Sequence, residues 1–63
     1  MSKEDKELLE MFIDRWGIYN IVSTLASICA DKAVHISENW QDYRLASVWS
    51  RYERVLESIL FKL

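Results

Sequence analysis

A chain of 63 residues with no proline and a single glycine, Gly17, has few places to turn tightly. Hairpin turns draw on residues that tolerate positive φ, above all glycine and asparagine, and proline marks loops and strand edges. Their scarcity favours long helices over sheets, and apolar spacing agrees. Ser2 is a suitable N-cap, with Glu4 and Asp5 in the first turn, where the helix dipole favours acids. Leu8, Leu9, Phe12, Ile13 and Trp16 then fall within an arc of roughly 140°, with Glu7, Glu10 and Asp14 opposite. Arg15 sits in the last turn and Gly17 can supply a left-handed terminating residue, so the first helix is expected over residues 3–16.

A second helix is expected over residues 19–37, where Ile21, Val22, Leu25, Ile28, Cys29, Ala33 and Ile36 share one face. A third is expected over residues 40–61, with an apolar stripe from Leu45 through Trp49, Tyr52, Leu56 and Leu60 to Leu63. Nothing obvious breaks the chain between these two, and a single helix of about 40 residues is the alternative. In one straight helix the two apolar faces would point about 170° apart. A turn near Ser37–Asp42 lets both face one core, and Asn39 followed by Asp42 resembles a capping box. The expected architecture is all-α, a three-helix, bundle-like chain forming one domain over residues 1–63.

A domain this small buries only about 60% of the surface that its unfolded chain exposes. Cys29 is the only cysteine, and it cannot form a disulfide within one chain. One cysteine and one histidine, His35, cannot assemble the four N/S ligands of a structural zinc site. A dense core or self-association remains, and a 51% hydrophobic share with three tryptophans supports both. The charged N-terminus reads as a helix start rather than a signal peptide, and a lone thiol suits a reducing compartment. A cytoplasmic location without membrane association is therefore expected. The net charge of -2 is uneven. Residues 1–20 carry three basic and five acidic groups, whereas residues 43–63 carry four basic and two acidic. This polarity suits head-to-tail or antiparallel pairing better than a nucleic-acid footprint.

The stretch from Leu25 to Ala46 carries Cys29, Lys32-Ala33, His35 and Asn39-Trp40-Gln41-Asp42. It resembles a group of short, uncharacterised open reading frames of bacteria and their phages with a similar Cys, Lys-Ala, His and Asn-Trp-Gln-Asp pattern. The resemblance covers about a third of the chain and implies no activity. It implies only a recurring turn and a bacterial or phage setting; an accessory regulator or inhibitor would fit a chain of this size.

Lys32, His35 and Asn39 form a polar strip on the buried flank of the second helix. It reads either as a recognition patch or as a snorkelling lysine, a border histidine and a cap for the third helix. Asp31, His35 and Glu38 share a face, but the usual di-iron pattern runs Glu-x-x-His on paired helices, and no metal or other cofactor is expected. Cys29 and His35 lie about 240° apart around the helix and form no nucleophile–base pair within it. There is no phosphate loop and no serine elbow, so an enzyme is not expected. Arg44, Arg51, Arg54 and Lys62 line one side of the third helix, with Glu53 and Glu57 on the other, as at coiled-coil flanks. This favours protein pairing. The alternative is a helix-turn-helix-like DNA-binding regulator using the same arginines, which the acidic net charge disfavours. Trp40, at the turn, is a candidate anchor. The candidate interaction residues are thus Lys32, His35, Asn39, Trp40, Arg44, Trp49, Arg51 and Leu56. The expected function is a helical protein-interaction module that binds itself, as a dimer first, or another protein.

Overall fold

The computed structural model describes all residues, 1–63, and contains helices and no strands. Helix α1 spans Lys3–Trp16, α2 spans Ile18–His35 and α3 spans Tyr43–Leu60. Residues Ile36–Trp40 form a widened, π-type turn that continues α2. The three-helix, all-α expectation holds, and the single long helix is ruled out by the reversal after Trp40. No helix is long and apolar enough to cross a membrane.

Local chemistry sets the ends of α1 as anticipated. The Ser2 hydroxyl accepts from the Asp5 amide at 3.1 Å. The Gly17 N–H donates to the Ile13 carbonyl at 2.8 Å, and the Gly17 carbonyl accepts from Ile21 N–H at 3.1 Å. One residue therefore ends α1 and begins α2, whose start lies at Ile18 rather than residue 19. Gly17 takes φ 83 and ψ 152, not the left-handed helical conformation but a region essentially reserved for glycine. Nothing lies within 4 Å of a Cβ built there, so any substitution penalty is conformational rather than steric. Asn20 donates its side-chain amide to the Trp16 carbonyl at 2.8 Å, satisfying one orphan acceptor at the end of α1.

The second turn departs from expectation. The third helix starts at Tyr43, not residue 40, and its cap is Asp42, whose carboxylate accepts from Leu45 N–H at 3.0 Å. Asn39 does not cap it. Its side-chain amide instead donates back to the His35 carbonyl at 3.0 Å. The chain reverses at Gln41, which sits in the left-handed region at φ 52, ψ 28. That conformation costs an L-residue roughly 1 kcal/mol relative to glycine. Gln41→Gly is accordingly expected to raise stability by about 0.5–1 kcal/mol, read as a higher urea midpoint. No gain would mean that the glutamine side chain offsets its backbone strain.

Helices α2 and α3 form an antiparallel hairpin. Its seam on α2 consists of Ala26, Cys29, Ala33 and Ile36, spaced i, i+3, i+7, i+10, facing Ala46 on α3. Four of these five buried residues are small, so the backbones approach closely, and Ile36 is the only large side chain among them. Along α3 the sheltered positions are Ala46, Val48, Trp49, Ser50, Glu53, Leu56 and Leu60. The middle of this seam lies roughly 80° round the helix from the middle of the apolar stripe. The stripe from Leu45 to Leu63 therefore does not face α2 squarely. Leu45, Tyr52, Val55 and Ile59 lie open on one face of the hairpin, on the side where α2 leaves Leu25 and Ile28 open.

Helix α1 touches α2 but neither the π-type turn nor α3. The result is a slab of 37 × 29 × 14 Å, one helical layer thick. The radius of gyration is 13.6 Å, against roughly 10.5 Å for a compact chain of this length.

Candidate interaction surface

The open face of the hairpin carries two depressions in succession. At the turn end, an open cleft of about 670 Å³ is lined by Ile28, Asp31, Lys32, His35, Ile36, Trp40, Leu45 and Trp49. The π-type turn builds this cleft, because widening the helix after His35 swings Trp40 to its rim. The Trp40 ring meets the His35 ring edge-on, with centroids 5.9 Å apart. Asn39 holds His35 from the other side, its amide nitrogen 3.2 Å from His35 Nδ1. That contact assigns Nδ1 as the acceptor when the amide donates, which places any imidazole proton on Nε2. Trp40 is 64% exposed yet braced by this chain of contacts.

Across the cleft, Lys32 Nζ lies 5.2 Å over the ring of Trp49. Lys32 thus does more than snorkel, since it sits where a cation is drawn to the face of an indole. Trp49 in turn meets Tyr52 edge-on at 5.4 Å. Further along the hairpin, a groove of about 470 Å³ is lined by Leu25, Cys29, Arg51, Tyr52, Val55 and Leu56 and is almost wholly apolar.

Of the residues anticipated from sequence, Lys32, His35, Trp40 and Trp49 converge on the cleft, and Asn39 supports it from behind. Arg51 and Leu56 line the neighbouring groove. Arg44 is exposed and lines neither depression. Ile28, Asp31, Ile36 and Leu45 in the cleft, and Leu25, Cys29, Tyr52 and Val55 in the groove, were not among the candidate interaction residues. The four-residue run of small and apolar side chains from Ala26 to Ile36 at heptad spacing was the available signal, since it places the seam and leaves these residues beside it. Asp31, His35 and Glu38 do not gather with one another into a metal-holding group. Cys29 is buried in the seam as a free thiol.

The chain matches no known protein family, no curated protein and no solved structure.

Proposed function

We propose that this chain is a helical protein-interaction module, not an enzyme, which self-associates and acts by occupying a partner's surface. One observation carries the reading: Ile36 is the only large apolar side chain that is buried, and Leu25, Ile28, Leu45, Tyr52, Val55 and Ile59 lie open together on one face of the hairpin. Single exposed apolar residues are ordinary, but contiguous apolar surface marks an interaction site. The cleft adds a braced indole, Trp40, beside Lys32 and Asp31, the combination of aromatic anchor and polar rim found where proteins bind proteins.

Sedimentation equilibrium over a wide concentration range tests the self-association. A reversible monomer–dimer equilibrium is expected. A monomer that stays folded at every concentration would sink self-association.

A further inference from the structure

We propose that helix α1 of a second copy covers the groove between Leu25 and Val55, so that two chains form a twofold-symmetric dimer by exchanging their N-terminal helices. This deepens the self-association reading above and rests on it.

The first argument is area. The chain exposes 5295 Å², whereas a folded protein of its 7.5 kDa mass exposes about 4,250 Å². The excess is about 1,000 Å² per chain, or about 2,000 Å² for a pair, which matches a stable specific interface. Stable domains are built from at least two packed layers. This one has a single layer 14 Å deep, so a second layer must come from another molecule.

The second argument is that α1 carries the matching surface and uses only part of it within its own chain, where Phe12 and Trp16 meet Asn20, Ile21 and Thr24 at the start of α2. Leu8, Phe12 and Trp16 are each about half exposed. Folding α1 back over its own hairpin would need a reversal of direction and a sideways step of about 8–10 Å, the spacing of packed helices. Connections that achieve this in bundles take about 2–8 residues. Here the connection is Gly17 alone, hydrogen-bonded into the helix on each side. The arm therefore projects from its own hairpin, and a second chain is the surface within reach.

The third argument is charge. Residues 1–20 have two more acidic than basic groups, and residues 43–63 have two more basic than acidic. Placing α1 of one chain beside α3 of the other opposes these charges, and twofold symmetry makes the match twice. At 14 residues, α1 is about 21 Å long, sufficient to run from the groove towards the open end of the hairpin past Ile59. This leaves the cleft of Lys32, His35 and Trp40 uncovered for a different protein.

The test uses the full chain with Cys29→Ser, Phe12→Cys and Val55→Cys, so that the two introduced thiols are the only ones. Phe12 and Val55 are 50% and 53% exposed and lie outside the buried seam; Cys29→Ser alone falls within it, so that single variant is first shown to keep the helix content and association of the unaltered chain. Isotopically labelled and unlabelled chains are unfolded together, refolded and treated with a short bismaleimide, and the linked peptides are weighed. Linked 12–55 peptides that mix labelled and unlabelled halves are expected. Pairs that never mix would show α1 closing on its own hairpin and overturn the proposal. A dimer that forms without any 12–55 link would overturn the helix exchange while leaving self-association intact. A monomer at all concentrations in the unaltered chain would overturn both readings. In an otherwise unaltered chain, Phe12→Glu is expected to weaken dimerisation at least tenfold, about 1.4 kcal/mol, with helix content retained. An unchanged dissociation constant would equally overturn the exchange.

Discussion

Replacing Ile36 by alanine is expected to destabilise the fold by about 3 kcal/mol, within the range for truncating a buried isoleucine. Ile36 is 6% exposed and is the one large side chain that the seam encloses. It sits where α2 opens into the π-type turn and also lines the cleft there, so removing it strips apolar contacts from the seam and deepens the cleft between backbones already in close approach. Total stability for a chain of 63 residues is on the order of 3–9 kcal/mol. The substitution therefore removes a third or more of it and lowers Tm by roughly 12–24 °C. Ile36→Val should cost only about 1 kcal/mol. Urea unfolding at several protein concentrations checks this. The loss should be the same at each concentration, because Ile36 lies inside one hairpin and not between chains. A loss below about 1 kcal/mol would mean that the seam is not organised around this residue.

Trp49→Ala is expected to cost about 2–3 kcal/mol, less than a fully buried tryptophan because the ring is only half-buried. The truncation removes the edge-on contact with Tyr52 and the surface beneath the Lys32 ammonium. Trp40→Ala provides the contrast. Trp40 touches His35 but is mostly in solvent, so its loss should change folding stability by no more than about 0.5 kcal/mol. The two tryptophans thus separate roles: Trp49 holds the cleft's floor and Trp40 stands at its rim. Denaturant midpoints of the two variants, measured side by side, decide the matter. If Trp40→Ala proved the more damaging, the π-type turn would be part of the core and not a presented edge.

Both predictions depend on features that differ in how far they could be read from residues alone. The ends of α1 were legible because Ser2, the acids after it and Gly17 act on their immediate neighbours. The start of α3 was misplaced by three residues because two capping side chains compete for the same turn. Asn39 satisfies the His35 carbonyl instead, and Asp42 takes the cap. That choice follows from the one-residue widening of the turn, which leaves no periodic trace. Lys32, His35 and Trp40 could be grouped beforehand because they lie within one stretch of chain. Their meeting with Trp49 requires the hairpin to close, and Arg44, assigned to the same surface, points to neither depression.

The number of helices, their amphipathic character and the uneven charge are properties of the residue order, since hydrogen bonding within a helix and its periodicity are local. The part of each apolar arc used inside the chain was settled only by tertiary structure. An arc of roughly 140° is wider than one neighbouring helix can cover. Close approach falls where alanine and cysteine let the backbones meet, at Ala26, Cys29, Ala33 and Ala46. The larger side chains are thereby turned to one side, where a single layer of helices has nothing to put against them.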